Sequence, residues 1–121
     1  MVENKQYISQ MQENGRVMIS EDVVATIALQ AMNEVEGFAG LSSKPGADIA
    51  ELLGKNWGKG LKITIADNND LTIDCNVMIF YGCSVVEVAK QLQDGIASAM
   101  ESVTGIEVVE INVNVCGIIR K

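Results

Sequence analysis

Residues 77–115, VMIFYGCSVVEVAKQLQDGIASAMESVTGIEVVEINVNV, read without interruption as strand, corner, helix, stop and strand. A helix flanked at both ends by apolar strands must lay its apolar stripe on the sheet those strands build. Tyr81-Gly82 makes the corner: glycine accepts backbone angles closed to other residues, and tyrosine packs its ring while keeping its hydroxyl wet. Ser84-Val85-Val86-Glu87 has capping-box spacing, in which the hydroxyl takes one orphan N–H and Glu87 reaches back for another. Val85, Val88, Leu92, Ile96, Met100 and Val103 recur at intervals of three and four, one stripe of a long helix. At ~1.5–3 kcal/mol for each fully buried side chain, that stripe contributes at most ~9–18 kcal/mol before entropy is subtracted. Gly105 stops the helix, and Ile106 and Val108, then Ile111, Val113 and Val115, form the last strand. The parity switch at Val109-Glu110 predicts a β-bulge.

Upstream, residues 1–14 are polar and aperiodic and read as a flexible N-terminal arm, with one folded domain over residues 15–121. Gly15-Arg16-Val17-Met18-Ile19 is a short strand, and Ser20 an N-cap with Glu21 and Asp22 at the positive end of the helix dipole. Val24, Ile27, Ala28, Ala31 and Val35 keep helical spacing, with Gly37 as the stop. Residues 38–41 suggest a strand, and Pro45 opens a brief helix over residues 47–53. Leu61-Lys62-Ile63-Thr64-Ile65 alternates as a half-buried strand does, and Asp67-Asn68-Asn69-Asp70 is turn chemistry. On the returning strand Leu71, Ile73, Cys75, Val77 and Ile79 share one face, while Thr72, Asp74 and Asn76 point the other way. Only one face is apolar, so helices cover one side and leave the other to water or a partner. The expected fold is α+β, a two-layer sandwich with two long helices on one face of a mixed, mainly antiparallel sheet. AMNEVEGF at residues 31–38 echoes AMESVTGI at residues 99–106, as convergent helix-to-strand grammar or as duplication.

The chain has 121 residues, a single-domain length, and its 48% apolar and 21% charged residues are those of a folded globule. No apolar run reaches the ~18 residues of a spanning helix, and the polar opening is no signal peptide. Cys75, Cys83 and Cys116 match no zinc or redox spacing, so reduced thiols in a cytosol are expected. Sixteen acids against nine bases give a net charge of −7, which argues against nucleic acid and against general attraction to anionic membranes. Lys55, Lys59 and Lys62 cluster beside Trp57, either as a solvated connector or as a docking patch for an acidic or lipid-like partner.

Chemistry finds few candidates. There is no histidine, the commonest general base and metal ligand. Cys83 precedes the long helix, where the helix field favours thiolate, but no histidine or nearby lysine activates it; a small apolar filler is the simpler reading. Asp67, Asp70 and Asp74 lack the Gly and closing Glu of a calcium loop. Gly54-Lys55-Asn56-Trp57-Gly58-Lys59-Gly60 has the wrong spacing for a P-loop and precedes a strand rather than a helix. No catalytic, cofactor or metal residue is assigned.

The block IFYGCSVVEVAKQLQDGIASAMESVTGIEVVEINVNVCGI closely resembles the alkaline shock protein family, the Gls-like envelope stress proteins of Gram-positive bacteria. Its features here are Tyr81-Gly82, Glu87-Val88-Ala89, Gln93, Thr104-Gly105 and Ile111-Asn112-Val113. Gly15-Arg16-Val17, Ile19-Ser20 and Val35-Glu36-Gly37 agree with it, so the resemblance spans residues 15–118. The chain resembles a short form without the charged C-terminal extension, and AELLGKNWGKGLK (residues 50–62) is similar to short members encoded near a fatty-acid kinase subunit. The resemblance implies a non-enzymatic cytoplasmic protein of envelope stress or homeostasis, which assembles with itself or docks on a membrane-anchored protein. A scaffold or adaptor would use the open sheet face (Thr72, Asp74, Asn76, Asn112, Asn114) and the patch of Lys55, Trp57, Lys59 and Lys62. The alternative is a regulatory domain linked to lipid metabolism, with an acyl chain or another metabolite between helices and sheet.

Overall fold

The strict alternation of residues 71–79 makes the strand around which the other elements are arranged. The computed structural model describes residues 7–42 and 60–120. Its elements are β1 (Tyr7–Gln12), β2 (Gly15–Ser20), α1 (Glu21–Asn33), β3 (Phe38–Leu41), β4 (Leu61–Ile65), β5 (Leu71–Phe80), α2 (Val85–Thr104) and β6 (Val108–Ile119). β6 runs parallel along one edge of β5, from Leu71 opposite Val108 to Phe80 opposite Ile119. Two short antiparallel strands share the other edge: β4 pairs with residues 71–75, and β3 with residues 77–79. The parallel pair requires a crossover, and α2 supplies it.

Leu71, Ile73, Cys75, Val77 and Ile79 of β5 are fully buried. They pack in one cluster with Val24, Ala28 and Met32 of α1 and with Val88, Leu92, Ile96 and Met100 of α2. The predicted stripe on α2 is therefore shorter than its spacing suggested: Val85 is 37% exposed and Val103 66%. The cap is present, with Ser84 Oγ accepting from Glu87 N–H at 3.4 Å. Gly105 closes the helix in the left-handed conformation (φ 77°), its N–H donating to the Glu101 carbonyl at 2.9 Å.

The expected two-layer sandwich with two long helices on one face needs correction. The described strands fall into two sheets, a β1–β2 hairpin and a separate four-stranded sheet, and make up about 44% of the described residues. α2 has 20 residues, but α1 has only 13. α1 ends early because the Glu34 and Val35 N–H groups turn back to the Ala31 and Met32 carbonyls. Gly37 thus serves the approach to β3 rather than the cap; its φ is +100°, and a Cβ there would lie 2.8 Å from Val88 Cγ2. Ser20 sits at the N-cap of α1 but forms no side-chain cap bond. Within the stretch read as a flexible arm, Tyr7–Gln12 pairs with β2. Ile8 anchors that strand in the core at 2% exposure.

The bulge expected at Val109-Glu110 is present: Leu71 faces Val108 and Thr72 faces Glu110, leaving Val109 extra. A second shift leaves Cys116 extra, since Val77 faces Val115 and Met78 faces Gly117. Each bulge resets the parity of β6, and together they place its alternating residues against β5. The brief helix expected over residues 47–53 lies outside the described residues.

Candidate functional site

Cross-strand partners share a face of a sheet, so the register assembles the polar side of β5 row by row. Thr64, Thr72 and Glu110 form one row, and Lys62, Asp74 and Asn112 the next. Asn76 faces Asn114 in a third. Two side-chain bonds stitch β5 to β6: Asn112 Nδ2 donates to Asp74 Oδ1 at 2.8 Å, and Asn114 Nδ2 donates to Asn76 Oδ1 at 3.1 Å. Lys62, Thr72, Asp74, Asn76 and Asn112 are half-buried, while Thr64, Glu110 and Asn114 are exposed. Asn76 also fixes both neighbouring strand ends through its backbone, accepting from Ser42 N–H and donating to the Gly60 carbonyl, each at 2.8 Å.

The register brings together every expected sheet-face residue, Thr72, Asp74, Asn76, Asn112 and Asn114, and adds Lys62 from the lysine patch. Lys55, Trp57 and Lys59 lie outside the described residues. Further along β5 the same side turns apolar, with Met78 opposite Gly117 and Phe80 opposite Ile119. Gly117 leaves room for the neighbouring side chain: a Cβ there would sit 3.0 Å from Met78 Sδ. Just beyond, the Arg120 guanidinium stands 5.0 Å from the centre of the Tyr81 ring, a cation–π contact. Sequence reasoning missed this apolar half; a glycine inside a strand, which marks a bulge or close approach, was the available signal.

Gln93, noted only for its family resemblance, has a physical role: its Nε2 donates to the Ile111 carbonyl at 2.9 Å and ties α2 to β6. Cys83 packs against Gly37, whose added Cβ would come 3.1 Å from its sulfur, in keeping with a space-filling thiol. Asp70 completes the β4–β5 turn, its N–H donating to Asn68 Oδ1 at 3.1 Å while its own carboxylate accepts from Asn68 Nδ2 at 3.2 Å. Among the described residues no three His, Cys, Asp or Glu side chains gather as a metal would require. Burial, with the nearby Asp74 charge second, pushes the Cys75 thiol up from 9.0 to about 12. Its sulfur lies 3.6 Å from the Asn112 carbonyl. Among the described residues no helix is long and apolar enough to cross a membrane.

Residues 9–120 match the model of the ASP23 family, described by a cell envelope-related function. The chain belongs to this family. It is 34% identical to the uncharacterized protein YqhY of Bacillus subtilis over 105 residues, covering 86% of this chain and 77% of YqhY. It is 29% identical to the uncharacterized protein Spy1614 of Streptococcus pyogenes, covering 85% and 87%. The uncharacterized protein YloU of Bacillus subtilis is 27% identical, covering 86% and 88%. No solved structure matches the chain significantly.

Proposed function

We propose that this ASP23-family protein is a non-enzymatic cytoplasmic adaptor or scaffold of cell-envelope homeostasis that binds a protein partner through the outer side of β5 and β6. The carrying observation is the composition of that side: a polar ladder of Lys62, Asp74, Asn112, Asn76 and Asn114 continues into Met78, Phe80 and Ile119. Paired amides present fixed donors and acceptors for orientation, and an adjoining apolar patch supplies area to remove from water. This combination suits a protein interface, whereas covalent catalysis needs a nucleophile and base in hydrogen-bond reach. The family's cell envelope-related function supports a partner anchored at the membrane, because the described helices of this chain cannot span a bilayer.

A photo-crosslinking residue tests this face directly. Placed at Asn114 of the full chain in its native host, it is expected to capture one discrete protein species; placed at Asn14, exposed in the β1–β2 turn, it is not. Equal capture from both positions, or none from Asn114, would remove the sheet face as the interface.

A further inference from the structure

The helices carry a second surface that the sheet-face reading does not use. Between α1 and α2 runs an open groove of about 710 Å³. Its floor is largely apolar, from Ile27, Ala31 and Val35 on one side and Ala99 and Val103 on the other, with Gly95 lowering the α2 wall. Val103, left 66% exposed by the core, contributes a large apolar side chain to it. At Ser98 the groove meets a smaller depression bordered by Asp94, Glu101 and Glu107. Glu34 borders the groove itself, and among the described residues no lysine or arginine lines either cavity.

The charge on the two helices is mainly negative. Residues 17–43 contain Glu21, Asp22, Glu34 and Glu36 and no lysine or arginine. α2 carries Glu87, Asp94 and Glu101 against Lys90 alone. An apolar trough between two helices accepts the apolar face of a third, and an acidic rim selects a cationic flank while repelling an acidic one. The same charge disfavours a second copy of this chain, whose net charge is −7. We infer that the α1–α2 groove is a docking site for a basic amphipathic helix of a partner protein, its leucine-like face on Ile27, Val35, Ala99 and Val103 and its lysines or arginines toward Glu34, Asp94 and Glu101. This site is separate from the proposed sheet interface, and either can fail without the other.

The test is fluorescence anisotropy of the full-length protein with three synthetic peptides of about 18 residues, five helical turns. One has leucines at helical spacing and lysines elsewhere, the second replaces the lysines by glutamates, and the third keeps the lysines but scrambles the leucines. The protein variants are Ser98→Trp, which fills an exposed position in the groove, and the double variant Glu34→Lys/Glu101→Lys; circular dichroism confirms that both stay folded. The leucine–lysine peptide is expected to bind and the other two are not. Ser98→Trp should abolish binding, charge reversal should weaken it by about tenfold or more, and added salt should weaken it as well. No binding up to about 1 mM peptide, equal binding by both variants, or equal binding of the glutamate or scrambled peptide would overturn the proposal. So would self-association of the protein that Ser98→Trp abolishes, since the groove's occupant would then be a second copy.

Discussion

Two single residues carry more of the structure than their types suggest. Asn69 adopts φ 72° at the tip of the β4–β5 turn, a left-handed angle that asparagine tolerates. Its side chain also imitates a neighbouring strand, accepting from Ser9 N–H at 3.3 Å and donating to the Ser9 carbonyl at 3.1 Å. Asn69→Gly keeps the angle and removes both bonds, so it should destabilise the protein by about 1 kcal/mol and speed amide exchange across β1 and β2. Unchanged exchange there would show that Ile8 alone holds the hairpin. Cys75 is the other. Its thiol is pushed up to about 12 in the folded state against an ordinary 9.0, so over that window the unfolded chain has lost a proton that the native chain keeps. Stability from this group is complete below the lower value and falls by about 1.4 kcal/mol per pH unit above it. Urea melts of wild type and Cys75→Ala across that window should differ in slope by this amount, and parallel slopes would count against a buried neutral thiol.

At the scale of elements, the four buried positions of α2 set the energetics. Ile96 is 0% exposed, so Ile96→Ala should cost about 2–5 kcal/mol through lost burial and the cavity left behind. Val103→Ala should cost under about 1 kcal/mol, because Val103 faces the groove; equal losses measured by chemical denaturation would restore the longer stripe read from spacing. Here the limits of sequence reading have a physical origin. Periodicity reports which face a residue occupies, and it placed β5, α2 and the Val109 bulge correctly. It does not report how much of an apolar stripe its neighbours cover, which is why Val85 and Val103, 37% and 66% exposed, were read as core. The bulge at Cys116 escaped because its pairing depends on Met78 across the sheet, and the strand at Tyr7–Gln12, a hairpin partner of β2, escaped because Ile8 is its one buried residue and leaves no apolar alternation.

For the whole molecule, the polar ladder was legible because alternation alone assigns Thr72, Asp74 and Asn76 to the polar side of β5. Their partners Asn112 and Asn114 follow only once the Val109 bulge sets the register of β6. The expectation of two long helices on one face failed, since α1 ends after 13 residues in a turn whose hydrogen bonds leave no mark in composition. Membership of the ASP23 family and its cell envelope-related function agree with the resemblance carried by residues 15–118. The measurement that bears most directly on the adaptor role is quantitative affinity isolation of the tagged full chain from its native host, using wild type, Asn114→Arg and, in the exposed β1–β2 turn, Asn14→Arg at matched thermal midpoints. An adaptor acting through the β5–β6 face retains its partner as wild type and as Asn14→Arg, and loses it by about tenfold or more as Asn114→Arg, the loss expected when one charge is buried unpaired in an interface. Equal recovery by all three proteins, or a monomer that retains no protein at all, would contradict it.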